Sequence, residues 1–247
     1  MITSSENSFV NIMDNFIYNP PKEDVKIVFE DDYFVAADKP PGLLTVPGRK
    51  LEHEDSLFSR LRGMFPNLLV IHRLDMDTSG VVLFAKNKSS QSSLSAEFAN
   101  RRVKKTYLAR VFGNITKMWG VINYPIAKDW PNRPLQKICP ETGKASTTIW
   151  KRLGYYKDEK QKSFSYLAIK PITGRSHQIR IHLASLGFPI VGDRFYGDDI
   201  SKNMDIRLNL HAYSMNFYHS AFGKRLFVRS NCNERTNFPF CNHLKVN

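Results

Sequence analysis

Two short polar segments contain residue types that together could carry out acid–base or nucleophilic chemistry. The first, His72-Arg-Leu-Asp75, follows an apolar run at residues 68–71 and places one carboxylate two residues after an arginine. The second, residues 173–182, contains two arginines and two histidines. An arginine close to a carboxylate favours its ionised form even where water is partly excluded, as a nucleophile or base in a closed pocket requires. The two segments therefore predict a site built around Asp75.

Each of these segments also has a purely structural interpretation. An aspartate before Thr-Ser-Gly is often a turn former, and the charges of residues 173–182 could lie on the exposed face of an amphipathic helix. Residues 173–182 do lead from a predicted strand into a predicted helix N-terminus, where backbone amides and Arg175 would favour an anion. Arg180 would lie beside the apolar stripe of that helix, within reach of an acid in a cleft.

Tyr107 lies within residues 104–113, where apolar and polar residues alternate as in a half-buried strand. A tyrosine in such a strand is usually a core residue. The alternative is a stacking platform for a base that has left its helix, with a hydroxyl that could help a proton to leave.

A competing pattern would assign metal chemistry to the same region. Asp75-Met-Asp77-Thr78 matches the Asp-x-Asp-x-Thr pattern of metal-dependent phosphatases, and Asp193, Asp198 and Asp199 could form a second metal cluster. Such enzymes use a doubly wound sheet, and the regular alternation of strands and helices that builds one is missing here. His177, His182 and His211 are not at metal-ligand spacing from any cysteine or glutamate. We therefore expect no metal.

The charge of the chain favours a polyanionic partner. The 247 residues include 36 lysines and arginines against 23 acids, for a formal charge of +13 and a pI near 9.7. Nucleic acid is the commonest partner of a surplus of this size, although a basic enzyme with scattered lysines is the alternative. The three cysteines form no C-x-x-C pair, and neither a signal peptide nor a membrane-spanning segment is apparent. These features predict a cytoplasmic protein without a membrane partner.

The hydrophobic pattern predicts more strands than helices. We expect strands at 25–29, 34–38, 80–86, 104–113, 145–153, 164–170, 210–217 and 225–229, and helices at 56–65, 89–100 and 176–186. Because the strands follow one another, the fold class is α+β, with a mixed, mostly antiparallel sheet and flanking helices. The predicted organisation is an N-terminal arm (1–24), one catalytic domain (25–230) and a C-terminal tail (231–247).

Three motifs resemble the signatures of a known family. His72-Arg-Leu-Asp-Met-Asp-Thr-Ser-Gly80, Lys105-Thr-Tyr-Leu-Ala-Arg-Val111 and Gly174-Arg-Ser-His-Gln-Ile-Arg-Ile-His182 are similar to those of the RluA family of pseudouridine synthases. The likeness covers roughly residues 25–230, with the motifs in the family's order. It implies a catalytic domain with a central RNA-binding cleft and no S4 domain. It also implies an isomerase that converts uridine to pseudouridine without a cofactor.

The resemblance also assigns roles to single residues. It makes Asp75 the essential catalytic aspartate, Arg180 its basic partner, and Tyr107 the ring that stacks on the base and assists removal of the C5 proton. Leu210 would pack on the other side of the uracil, and Arg73 would reach into the space that the flipped nucleotide leaves.

The remaining expectations concern the substrate. His72, Arg175 and Thr78 are expected to contact the RNA. Val46-Pro-Gly-Arg49 and residues 129–134 resemble the family members that modify both 23S rRNA and tRNA. The predicted targets are therefore loop uridines of 23S rRNA and of the tRNA anticodon stem-loop, modified by a monomer. An RNA-binding protein that uses the same cleft without chemistry is the rival interpretation.

Overall fold

The computed structural model describes residues 17–230, so the predictions for residues 1–16 and 231–247 lie outside the described residues. The strands are β1 (Lys26–Glu30), β2 (Phe34–Lys39), β3 (Leu69–Val70), β4 (Ser79–Ala85), β5 (Lys104–Phe112), β6 (Trp119–Ile122), β7 (Ile126–Lys128), β8 (Gln136–Ile138), β9 (Thr148–Lys157), β10 (Ser163–Pro171), β11 (Leu210–His219) and β12 (Lys224–Arg229). The helices are α1 (Leu57–Arg62), α2 (Lys88–Ala99) and α3 (Gln178–Ser185), and short 3-10 turns lie at Leu51–His53 and Ser201–Asn203.

A large mixed sheet organises the described part of the chain. Its strand order is β1-β2-β4-β11-β5-β10-β9-β6, with β12 paired to β11 and β3 paired to β4. Strand β11 runs parallel to β4. The other strand pairs of this sheet, within the described residues, are antiparallel. Strands β7 and β8 form a separate hairpin. The predicted α+β class with a mostly antiparallel sheet is therefore confirmed.

Two helices pack on one face of this sheet and leave a gap between them. Leu94 of α2 packs with Leu83 and Met215, and Leu183 of α3 packs with Leu167. Tyr107 borders the α3 cluster, on the strand that crosses the gap. On the opposite face of the sheet, α1 covers the hydrophobic cluster that contains β2 and β4 side chains.

The helix ends follow local chemistry. The Ser56 hydroxyl accepts a hydrogen bond from the Ser59 amide at the start of α1. Helix α2 is capped by Asn87, whose side chain accepts from the Ser90 amide, so the helix begins at Lys88, one residue earlier than predicted. Helix α3 ends before Gly187, whose φ of +81° provides the left-handed stop.

Several elements differ from the predicted ones. The apolar run at residues 68–71 forms a strand only over Leu69–Val70, so Asp75 lies in a loop and not directly at a strand end. Strand β9 starts three residues later than predicted and continues to Lys157, because it pairs with β10 along that strand's whole length. Strands β6, β7 and β8 were not predicted. They are three or four residues long and partly exposed, which leaves little alternating pattern to detect.

The first described residues pack against α1. The Tyr18 hydroxyl donates to the Asp55 carbonyl, and Arg60 donates to the carbonyls of Pro21 and Glu23. This part of the predicted loose arm is therefore packed. No helix of residues 17–230 is long and apolar enough to cross a membrane.

Candidate active site

A cavity of about 540 Å³ opens between α2 and α3 over strands β5 and β11. Phe98 at the end of α2 and Ile179 of α3 form two of its walls. Every residue that the sequence assigned to the site lines this cavity: His72, Arg73, Asp75, Thr78, Tyr107, Arg175, Arg180 and Leu210. The fold thus brings together residues that lie far apart in the sequence.

The loop that carries Asp75 is held by the loop after β2. Lys39 is fully buried, and its ammonium donates to the Met76 carbonyl at 2.7 Å and to two carbonyls of its own loop. The Thr45 hydroxyl donates to the Leu74 carbonyl and accepts from the Leu74 amide. These bonds fix the backbone on both sides of Asp75, which is what a precisely placed carboxylate needs.

Arg180 reaches Asp75 from α3. Its Nη1 lies 3.6 Å from Asp75 Oδ2, and its side chain is 2% exposed, against 29% for Asp75. The interpretation of Arg180 as an exposed helix charge is therefore wrong. The carboxylate faces the cavity, beside a guanidinium that is shielded from water.

Asp193 anchors Arg180, a role that the sequence analysis missed. Its carboxylate is completely buried and accepts two hydrogen bonds from Arg180, at 2.9 Å from Nε and 2.6 Å from Nη2. Burial alone would lower the pKa of Arg180, but the hydrogen bonds and charge of Asp193 more than offset it, so the pKa lies above its ordinary value. The rings of Phe195 and Tyr196 also lie against the guanidinium, 4.9 and 5.5 Å from Cζ.

His177 is a second residue that the sequence analysis did not assign to the site. Its Nδ1 lies 2.8 Å from the Tyr196 hydroxyl, and its Nε2 lies 4.0 Å from Asp75 Oδ1. Burial lowers its pKa, partly offset by the charge of Asp75. Its backbone has a φ of +54°, a left-handed conformation that non-glycine residues rarely adopt and that often marks functional sites. The sequence placed His177 in the polar segment 173–182 and near the start of the predicted helix, but neither feature assigned it a role.

Tyr107 and Leu210 lie on neighbouring strands beneath the cavity. Tyr107 pairs with Ala212 across β5 and β11, and Leu210 pairs with Ala109. Burial raises the pKa of Tyr107, and the nearby charge of Asp75 raises it further. The phenol is therefore protonated at neutral pH. A flat aromatic surface and an aliphatic side chain are available here to a planar base.

The His72 side chain makes a hydrogen bond and a stacking contact within the protein. Its Nε2 accepts a hydrogen bond from the Leu83 amide, and its ring stacks on Phe98 at 4.8 Å. Burial and the neighbouring Lys105 lower the pKa of His72 to about 3. The ring is neutral and fixed, and its predicted contact with RNA remains a prediction.

The other predicted contact residues differ in exposure. Arg73 and Arg175 are exposed at the cavity mouth, whereas Thr78 is buried in its wall. The Arg175 amide donates to the side chain of Gln178, and this bond holds the loop that precedes α3.

The carboxylates of the competing metal pattern are used in other ways. Asp193 binds Arg180 with both oxygens, and Asp198 caps the turn at Ser201. Among residues 17–230, no group of three or more histidines, cysteines and acids is arranged to hold an ion.

Comparison with known proteins identifies the family. A family model described as RNA pseudouridylate synthase matches residues 33–185. A Vibrio parahaemolyticus protein named dual-specificity RNA pseudouridine synthase RluA is 48% identical over 203 residues, which cover 82% of this chain and 81% of that protein. The Escherichia coli K12 protein of the same name is 43% identical over 214 residues, which cover 86% of this chain and 96% of that protein. The chain belongs to the RluA family of pseudouridine synthases.

Solved structures agree with this assignment. Human RNA pseudouridylate synthase domain containing 1 superimposes with a TM-score of 0.72 at 28% identity, and the match covers 86% of each chain. Human RNA pseudouridylate synthase domain containing 4 shares the fold, with a TM-score of 0.66 at 21% identity. As an RluA-family member, the protein is an isomerase that acts on RNA. The phosphatase and the non-catalytic interpretations are therefore wrong.

Proposed function

We propose that this enzyme converts loop uridines of 23S rRNA and of the tRNA anticodon stem-loop to pseudouridine, with Asp75 as its essential carboxylate. One observation carries the assignment of Asp75: its carboxylate faces the cavity 3.6 Å from a guanidinium that is itself almost completely buried. No other carboxylate appears among the described residues that line this cavity.

The reaction breaks the C1′–N1 bond of uridine, turns the uracil and joins it to the sugar through C5. This reaction transfers no electrons and needs no group donor, so side chains alone can catalyse it. The target base must leave its stack to reach Asp75, at a cost of a few kcal/mol that is smallest in loops and bulges. This cost favours loop uridines as substrates.

The charges around Asp75 suit an ionised carboxylate. Arg180 donates from Nε and Nη2 to Asp193, and its Nη1 is directed towards Asp75. Asp75 must be ionised whether it attacks the sugar, attacks the base or removes a sugar proton. A nearby cation that is always charged favours that state.

Tyr107 would complete the reaction after the new bond has formed. The proton on C5 must then leave, and the phenol is the polar group of the expected stacking platform. Because its pKa is raised, Tyr107 would act as a neutral hydroxyl that passes a proton on, and not as a standing phenolate. Leu210 would hold the uracil from the other side.

The proposal of two RNA substrates rests on resemblance. The relatives carry the words "dual-specificity" in their names. Residues 46–49 and 129–134 resemble the family members that modify both RNAs, and Val46, Pro47 and Gly48 line the cavity. We further propose residues 25–230 as one catalytic domain that acts as a monomer.

Tritium release from RNA that carries [5-³H]uridine tests the proposal. Unmodified tRNA and 23S rRNA transcripts, each in EDTA, should release tritium with the native enzyme. Asp75→Asn should lower the rate by roughly 10³-fold or more while RNA binding persists, because the carboxylate acts in the chemistry. Asp77→Asn is the matched control and should keep most of the rate.

The transcripts also separate the parts of the proposal. Release from one RNA alone would limit the substrate to that RNA. Equal rates for native enzyme and Asp75→Asn would contradict the assignment of Asp75.

A further inference from the structure

Lys105 is a second cation within the cavity. It precedes Tyr107 by two positions on β5, so both side chains project from the same face of the sheet. Its Nζ lies 5.9 Å from the centre of the Phe98 ring. A Cβ placed on Gly174 would lie 3.7 Å from the same nitrogen. The ammonium therefore projects into the gap between the end of α2 and the loop before α3.

No group in the described part of the chain neutralises this ammonium. Among residues 17–230, Lys105 forms neither a hydrogen bond nor an ion pair, unlike the buried cations Lys39 and Arg180. Burial lowers the pKa of Lys105. A desolvated cation without a counter-charge destabilises the folded state, so its presence in a cavity indicates a ligand that supplies the missing charge.

We propose that the Lys105 ammonium binds a backbone phosphate next to the target uridine. This inference rests on the proposed function and adds to it a contact that fixes the flipped nucleotide through its phosphodiester. A phosphate supplies the full negative charge that the site lacks, whereas a uracil carbonyl is neutral. Two residues of β-strand separate the Cα atoms of Lys105 and Tyr107 by about 7 Å, which places the ammonium beside the stacked base.

The neighbouring groups leave Lys105 free for this task. His72 is neutral because its pKa is about 3, so it adds no competing charge. Asp75 lies against Arg180 and His177, outside ion-pair distance of Lys105. Arg175 is exposed, follows Gly174 and lines the same cavity, where it could contact the opposite side of the phosphate.

Neutral phosphate linkages test the contact directly. Binding would be measured in the Asp75→Asn background to an anticodon stem-loop RNA with one methylphosphonate on the 5′ or the 3′ side of the target uridine. Each RNA would have a phosphodiester control with the same 2′-O-methyl sugar before the linkage. One of the two neutral linkages should weaken binding roughly tenfold or more, as expected for the loss of a hydrogen bond to a charged group.

Lys105→Met should remove the sensitivity of RNA binding to the neutral linkage. With Lys105→Met added, the phosphodiester RNA should bind roughly tenfold more weakly, and the neutral linkage should cause no further loss. Lys105→Arg should keep the sensitivity because it keeps the charge. Lys104→Met is the matched control: its exposed side chain projects from the opposite face of β5, so the sensitivity should be unchanged.

Two further measurements distinguish the loss of this contact from unfolding of the variant and from a wrong substrate assignment. Lys105→Met removes a partly buried charge that has no ion-pair partner among the described residues. The variant should therefore resist urea at least as well as the parent, and weaker binding cannot then be ascribed to unfolding. Unchanged sensitivity to the neutral linkages in Lys105→Met would overturn the inference, as would normal affinity for the phosphodiester RNA. Tritium release by the native enzyme from the same stem-loop is measured first. Its absence would overturn the proposed substrate and with it this assignment.

Discussion

At the scale of single residues, Arg180 is bound more tightly by Asp193 than by the carboxylate it faces in the cavity. The Asp193 pair is bidentate and buried, whereas Asp75 lies beyond hydrogen-bond distance of Nη1. Two acids therefore share one guanidinium. Asp193 sets the direction of Arg180, and Arg180 in turn sets the surroundings of Asp75.

Replacement of Asp193 should affect both stability and activity. Asp193→Asn leaves Arg180 buried without its charge partner, so the free energy of unfolding should fall by about 3–5 kcal/mol. Tritium release should fall as well, because the guanidinium is no longer held towards Asp75. Urea unfolding and the release assay measure the two effects. Asp199→Asn, at an exposed carboxylate, should change stability by no more than about 0.5 kcal/mol. Similar results for both variants would refute the anchoring role.

The depressed pKa of His72 predicts a loss of stability in acid. In the folded protein the ring stays neutral down to about pH 3, whereas in the unfolded chain it takes up a proton near pH 6.5. His72 therefore has no effect above pH 6.5, and between pH 6.5 and 3 it lowers the free energy of unfolding by up to about 1.4 kcal/mol per pH unit. His72→Gln should show a shallower decline in urea titrations over this range. If the free energy of unfolding falls equally with pH in the native protein and in His72→Gln, His72 is not the cause of the acid sensitivity.

The residues that line the cavity were easier to predict from the sequence than the residues that hold them in place. Asp75 and Tyr107 were identified because their motifs are short and local. Asp193, His177 and Lys105 were not assigned their roles, because a sequence does not show which charges neutralise each other in three dimensions. The neutral state of His72 likewise depends on Phe98 and the Leu83 amide, which are distant in sequence.

At the scale of elements, the contact of β4 with β11 depends on one glycine. Gly80 has a φ of +112°, and a Cβ there would lie 2.2 Å from the Ala212 carbonyl oxygen. Gly80→Ala should destabilise the protein by several kcal/mol, because strain and overlap add and the loop before β4 carries Asp75. Gly187→Ala is the matched control, with a φ of +81° but no atom within 4 Å, and should cost only about 1 kcal/mol. Urea unfolding of both variants measures the difference, and equal losses would exclude the steric explanation.

The elements with clear periodicity were predicted within a few residues, and the weakly patterned ones were missed. Helix α3 was expected from its apolar stripe, but six of its eight residues are buried, which no amphipathic pattern indicates. The prolines after β2 indicate a loop and exclude a central strand there. The role of this loop as a support for Met76, through the buried Lys39, depends on a contact between distant parts of the chain.

At the scale of the whole molecule, the charge of +13 should dominate the affinity for RNA. Each phosphate contact releases counterions, so binding should weaken by roughly 10³-fold or more between 50 and 200 mM salt if about six phosphates are held. Dissociation constants measured over a KCl series give the slope. A slope near zero would show that the surplus of positive charge faces away from the RNA.

The central position of β11 affects how the enzyme folds while the chain is being synthesised. Asp75 belongs to the half of the sheet formed by β1, β2 and β4, whereas Tyr107 and Arg180 belong to the half that contains β5, β9 and β10. Strand β11 joins these halves, and it lies more than 200 residues from the N-terminus. Contacts so distant in sequence form late and slowly. A growing chain would therefore carry two incomplete sheets with open edges, and it would acquire the power to modify RNA only after β11 has been synthesised.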